Sequence, residues 1–127
     1  MNYVDLVALL AVAQLVFFSI LVGRARGRYG IKAPAVSGHE GFERAYRVQM
    51  NTLELMVAFL PALFIATKYW PQTWVAAAGA VYLVGRLLYW RSYVAAPASR
   101  GLGFGLSMLP ILALVIGGLV GALRGLA

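Results

Sequence analysis

The chain has 127 residues, of which 62% are hydrophobic, with a mean hydropathy of +0.81 and a net charge of +7 from 11 Lys and Arg against 4 Asp and Glu. Such a balance is too apolar for a water-soluble domain of this size, so the expected class is an all-α integral membrane protein, and the basic charge reads as membrane topology rather than nucleic-acid binding. No cysteine is present, which excludes disulfides, metal thiolates and a cysteine nucleophile.

Four apolar stretches, at 3–22, 44–67, 72–95 and 104–123, each approach the roughly 20 residues that span hydrocarbon. Their short connections predict a four-transmembrane-helix bundle forming one domain over 1–127. With four spans, Arg24, Arg26, Arg28, Lys32, Arg44, Arg47, Arg86, Arg91 and Arg100 share one side, against Lys68 and Arg124 on the other. The positive-inside rule puts the first side in the cytoplasm and both termini outside.

The first stretch opens with Asp5 rather than a basic segment, so it is expected to be a retained span and not a signal peptide. Gln14 in its middle is expected to make a helix-to-helix hydrogen bond. Residues 23–41, GRARGRYGIKAPAVSGHEG, are rich in glycine and basic side chains and read as an irregular connection. Arg24 and Arg28 are expected to meet anionic lipid head groups. His39 has no second histidine or cysteine to join it, and no metal site is expected.

Residues 41–61, GFERAYRVQMNTLELMVAFLP, form the most informative stretch. As a helix, Arg44, Arg47, Asn51 and Glu54 recur at intervals of three and four along one stripe. Phe42, Tyr46, Leu53, Met56 and Leu60 lie opposite, interrupted by Gln49. Glu54 sits roughly 15 Å beyond Arg44 at a rise of about 1.5 Å per residue, deep enough in a bilayer that its carboxylate needs a polar cavity or a charged ligand. Pro61 then removes the backbone bond to the Val57 carbonyl and is expected to bend the helix. Lys68, Tyr69, Trp70 and Trp74 mark the opposite interface.

The third span ends in VYLVGRLLYWRSYVAAPASRG. Arg86, Tyr89 and Tyr93 share a face, with Tyr82 one turn earlier, and arrive at the same membrane level as Arg47 and Asn51. Trp90 and Arg91 suit an interfacial belt with a snorkelling cation. The glycines at 101, 103 and 105 follow no strand and do not form a nucleotide loop. Gly117, Gly121 and Gly125 recur every four residues and predict close helix packing, within the chain or between subunits.

Two polar stripes meeting at one level suggest a shared pocket for a small zwitterion with more than one carboxylate. Arginines suit its carboxylates, and Glu54 suits its ammonium. Glutathione carries these groups, and a cation beside its thiol favours the thiolate. A transport path or a purely structural polar core would use similar residues.

FERAYRVQMNTLE, from Phe42 to Glu54, and VGRLLYWRSY followed by PASRG, from Val84 to Gly101, resemble the second- and third-helix signatures of the MAPEG family, the membrane-associated proteins of eicosanoid and glutathione metabolism. The wording NTLE and GRLLY is most similar to bacterial and type-three microsomal glutathione transferase members. The resemblance implies a homotrimer of four-helix bundles, with glutathione as co-substrate bound between subunits near the cytoplasmic face and no metal. By motif position it assigns Arg47, Gln49, Asn51, Glu54, Tyr89 and Tyr93 to glutathione, with Arg26 reaching in from the first loop. It gives Arg100 the role of thiolate activation, and Arg44 and Arg86 supporting roles. Two positions depart from patterns elsewhere in the family: Leu55 where some members carry tyrosine, and Gly27 where others carry a second arginine. The activity implied is conjugation of glutathione to lipophilic electrophiles in detoxification, with peroxidase activity toward lipid hydroperoxides as a companion. The alternative is a non-catalytic lipid-binding or scaffold protein of the same fold.

Overall fold

The computed structural model describes residues 2–126; the expected domain bounds at 1 and 127 lie outside them. Four helices follow one another: α1 (Tyr3–Tyr29), α2 (Glu40–Ala66), α3 (Gln72–Ala95) and α4 (Gly101–Leu126), with a single 3-10 turn at Pro97–Ser99 before the last. By length and composition α1, α2 and α4 are apolar enough to cross a membrane. At 24 residues, α3 is as long as a span needs, but Gln72, Thr73, Arg86, Arg91, Ser92 and three tyrosines make it more polar.

Hydrogen bonds between distant parts of the chain fix the direction of the helices. The Tyr3 N–H donates to the Gln72 side-chain oxygen at 2.8 Å, bringing the starts of α1 and α3 together. Arg44, one turn into α2, donates to the carbonyls of Val94 and Ala95 at the end of α3, at 3.0 and 3.2 Å. The Trp70 indole, in the α2–α3 turn, donates to the Gly117 carbonyl of α4 at 2.8 Å. Neighbouring helices therefore alternate in direction, and α1 runs parallel to α3.

Two helix ends differ from the sequence-based expectation. Residues 23–29, expected in an irregular connection, instead continue α1 by two turns, because arginines are good helix formers and neither Gly23 nor Gly27 meets a demand for another conformation. The helix stops at Gly30, whose φ of 69° is left-handed and whose N–H returns to the Arg26 carbonyl. At the other side of the connection His39 is the N-cap of α2, its Nδ1 accepting from the Gly41 N–H at 2.9 Å. His39 also stacks on Tyr29, with ring centroids 3.8 Å apart. This gives the lone histidine a structural role. The helix α2 continues through Pro61 to Ala66.

The partition of side chains is that of a protein surrounded by hydrocarbon. The core gathers Val4, Ala11, Phe59, Leu63 and Ile111, with Phe59 and Tyr82 stacked at 3.8 Å and nearly parallel. Many large apolar side chains nevertheless face outward, Val57 at 72% and Leu9 at 68% exposure among them, while Arg86 is completely buried. Gln14 donates to the Leu83 carbonyl of α3 at 2.8 Å, the helix-to-helix bond expected of it.

Helices α3 and α4 approach each other backbone to backbone. A Cβ on Gly103 would lie 2.3 Å from the Tyr89 backbone nitrogen, and one on Gly85 2.6 Å from the Leu106 carbonyl carbon. Along the Gly117, Gly121 and Gly125 row the neighbours are the turn aromatics Trp70 and Tyr69, while Gly125 meets nothing within 4 Å. Neither helix can yield at Gly103 without moving backbone, so Gly103→Ala should destabilise the bundle by about 1–3 kcal/mol. Gly105→Ala enters open space and should be neutral or slightly stabilising. Thermal unfolding in detergent compares the two; equal midpoints would contradict the close crossing.

Candidate functional site

The site residues singled out in the sequence separate into three groups. The first is organised by Arg86. Its Nε donates to the Ser107 hydroxyl at 2.9 Å, and its Nη1 donates to the Asn51 side-chain oxygen at 2.8 Å and the Thr52 hydroxyl at 3.2 Å. The guanidinium carbon lies 4.4 Å from the centre of the Tyr89 ring. No carboxylate pairs with Arg86 among the described residues. Three neutral oxygens and an aromatic face bear the charge instead.

Those oxygens are themselves held in place. Thr52 donates to the Val48 carbonyl at 2.8 Å and Ser107 to the Gly103 carbonyl at 2.7 Å, each one helical turn back. Arg86 thus joins α2, α3 and α4 through side chains whose rotamers are already set. Thr52 and Ser107 carried no signal in the sequence stripes. A hydroxyl one residue off a stripe becomes visible only when the facing helix is present.

The second group is the mouth beside that network. Tyr89 is 3% exposed and stacks on Tyr93 at 5.5 Å, with Phe104 of α4 tilted against it at 6.4 Å. The Arg47 and Glu54 side chains, two turns apart on α2, approach to 3.9 Å and are 54% and 57% exposed. Arg47 and Arg100 both lie within electrostatic range of the Tyr89 hydroxyl. Arg100 is exposed and donates to the Pro97 carbonyl at 2.8 Å. Asn51, Arg86, Tyr89 and Tyr93 therefore form one chain of contacts, with Arg47 and Arg100 near Tyr89 and Glu54, midway along α2, joined to them through Arg47.

The third group faces elsewhere. Gln49 donates to the Ser19 hydroxyl of α1 at 3.1 Å, and Arg26 donates to the Ala35 carbonyl at 2.8 Å while lying 4.7 Å from the Phe42 ring centre. These two mark the α1–α2 seam and do not meet Tyr89 within the chain. Arg44 is ion-paired with Glu40 and bound to the α3 carbonyls. It works as a tie between α2 and α3.

Chemically, the mouth offers two guanidiniums, one carboxylate and two phenols around a side-chain amide. The Asn51 oxygen is engaged by Arg86, which leaves its NH₂ group as the donor. The arrangement suits a ligand with separated negative and positive ends. Among the described residues no group of three His, Asp or Glu side chains is suited to a metal ion.

Comparison with known proteins follows the same lines. A family model described as "MAPEG family" matches residues 4–120. An uncharacterised protein of Synechocystis sp. is 44% identical over 118 residues, covering 93% of this chain and 86% of that one. Human microsomal glutathione S-transferase 2 is 41% identical over 117 residues, covering 92% of this chain and 78% of its own. Guinea-pig leukotriene C4 synthase is 39% identical over 87 residues, 68% of this chain and 58% of its own.

The Arg86 network makes a direct prediction. Arg86→Lys keeps the charge but has a single nitrogen in place of the fork, so it cannot reach Ser107 and Asn51 together. It should lose about 2 kcal/mol or more of stability. Arg100→Lys, at the surface, should stay within about 0.5 kcal/mol. Thermal unfolding of both variants in detergent checks the contrast.

Proposed function

The chain belongs to the MAPEG family, and from that premise we propose that it is a membrane-bound glutathione transferase conjugating the glutathione thiolate to lipophilic electrophiles. The observation that carries this reading is the Arg47–Glu54 pair on α2, with Arg47 near the Tyr89–Tyr93 stack. The two side chains approach only to 3.9 Å, so an incoming zwitterion would replace that contact with closer ones, its carboxylate going to Arg47 and its ammonium to Glu54. Asn51 and the two phenols complete the polar contacts.

Arg100 is the group proposed to act on sulfur. A free thiol has a reference pKa of about 8.5, and each unit of lowering corresponds to about 1.4 kcal/mol of preferential thiolate stabilisation. The thiolate lone pair then forms the C–S bond while the leaving group departs with its own electron pair. No covalent enzyme intermediate is needed; orientation and the guanidinium supply the acceleration. The companion activity is reduction of lipid hydroperoxides: the same thiolate takes the terminal oxygen, releasing the alcohol, and a second glutathione displaces that oxygen as water to leave glutathione disulfide.

An apolar groove of about 390 Å³ supports the choice of electrophile. It runs between α2 and α4, lined by Val57, Ala58, Pro61, Leu114, Gly118 and Leu119 among others. Val57, Ala58 and Pro61 lie three, four and seven residues beyond Glu54, so the groove continues the helix face that carries the carboxylate. A lipophilic molecule arriving from the bilayer would enter along it.

The homotrimer is proposed from the division of the site residues. Arg26 and Gln49 lie on the α1–α2 seam, away from Tyr89 and Arg100, and a second copy presenting that seam to the mouth would unite the full set. The bundle is proposed to span the membrane four times as a single domain, with the basic end in the cytoplasm and both termini outside. A second reading, a non-catalytic member that binds lipid or a partner, is favoured by one observation: the Arg100 guanidinium is engaged with its own Pro97 carbonyl.

Calorimetric titration of the purified protein with glutathione should show saturable binding that Glu54→Ala loses. Arg100→Ala should keep that binding but turn over about tenfold more slowly or worse, with its pH–rate profile displaced to higher pH. Equal loss of binding and turnover in Arg100→Ala would remove the thiolate role. Binding without turnover toward any electrophile in the unmodified protein would favour the second reading.

A further inference from the structure

We propose that the groove between α1 and α3 is a binding site for an anionic phospholipid, its phosphate held by Arg24 and Arg28 and one acyl chain laid along the apolar part of the groove. The site is separate from the mouth described above and uses none of its residues.

Two cavities carry the argument. One, of about 450 Å³, is lined by Leu21, Arg24, Ala25, Arg28, Ala45 and Trp90. The other, of about 350 Å³, is lined by Leu10, Ala13, Gln14, Phe17, Leu83 and Leu87. On α1 the positions 10, 14, 17, 21, 24 and 28 follow one another at intervals of four and three, a single stripe of the helix. The two cavities therefore follow one another along one side of α1, the apolar one against α3 and the cationic one closed by Trp90 of α3 and Ala45 of α2. Trp90 stands between them, edge-on to Phe17 at 5.3 Å and tilted to Phe18 at 6.0 Å.

The dimensions fit one leaflet. Leu10 and Leu21 are separated by roughly 16 Å at about 1.5 Å per residue, close to half of a hydrocarbon core of about 30 Å. The cationic end then falls at head-group depth. Neither Arg24 nor Arg28 is paired with a carboxylate among the described residues, and Arg91, 5.7 Å from the Trp90 ring centre, adds a third positive charge beside the same wall. Charge of one sign at the head-group level, above an apolar slot of acyl-chain length, is complementary to a phosphodiester lipid. A soluble phosphate compound would match the arginines but leave the slot unused.

The test uses the full chain, equilibrated in mixed micelles containing equal amounts of phosphatidylglycerol and phosphatidylcholine, with retained lipid counted by native mass spectrometry. Phosphatidylglycerol should be retained preferentially, and the double variant Arg24→Gln, Arg28→Gln should reduce that preference about fivefold or more. Ala13→Trp, which fills the slot and leaves the cations in place, should also lower retention. Lys68→Gln, which removes a cation outside the groove, should not. Excess glycerol phosphate should fail to displace the lipid. The proposal is overturned if the double variant retains the preference, if Lys68→Gln loses as much, if Ala13→Trp retains the lipid fully, or if glycerol phosphate displaces it.

Discussion

The bundle depends on a positive charge placed where, among the described residues, no negative one meets it. A guanidinium inside a membrane-embedded bundle is costly to desolvate, and a partnering carboxylate would be the usual remedy. Arg86 is borne instead by the oxygens of Asn51, Thr52 and Ser107 and by the face of Tyr89. Each of these contacts is weaker than an ion pair, yet each comes from a fixed direction, and together they set the rotation of three helices about their axes. Because two of the ligands, Asn51 and Tyr89, also border the mouth, the interaction that holds the bundle also sets the shape of the candidate site.

The same economy of polar groups governs the exterior. Outward-facing leucines and valines cover α1, α2 and α4, and the cations are gathered near the helix ends where the connections lie. Arg44 illustrates how a charge at that level is absorbed: Glu40 neutralises it, and the last carbonyls of α3, which no helix hydrogen bond claims, accept its protons. Arg47 and Glu54 are bound much less firmly, and this difference in engagement separates the structural arginine from the one available to a ligand.

Much of this was legible in the sequence, and the limits of legibility have physical causes. Periodicity alone placed Arg47, Asn51 and Glu54 on one helix and Arg86, Tyr89 and Tyr93 on the other, because a 3.6-residue repeat is a local property. Gln14 was readable as a helix-to-helix donor because a primary amide in an apolar span has little other use. Residues 23–29 were misread as a connection, since glycine content signals a loop even where arginines between the glycines sustain a helix. Motif position assigns Gln49 and Arg26 to glutathione; within the chain their side chains bond along the α1–α2 seam. The partners of Arg86 on the facing helices lay beyond any one-dimensional pattern.

The contact at Gly103 has a consequence for motion. With the backbone of α4 resting against the backbone of α3 at Tyr89, the two helices cannot slide past that point without moving backbone, and close-packed interfaces of that kind are stiff. Tyr89, Tyr93 and the beginning of α4 therefore move as one block. Breathing that admits a large molecule to the mouth is therefore expected on the α2 side of it, where Arg47 and Glu54 approach only to 3.9 Å. The wall carrying the tyrosines is the anvil of the site, and the wall carrying Arg47 and Glu54 is its jaw.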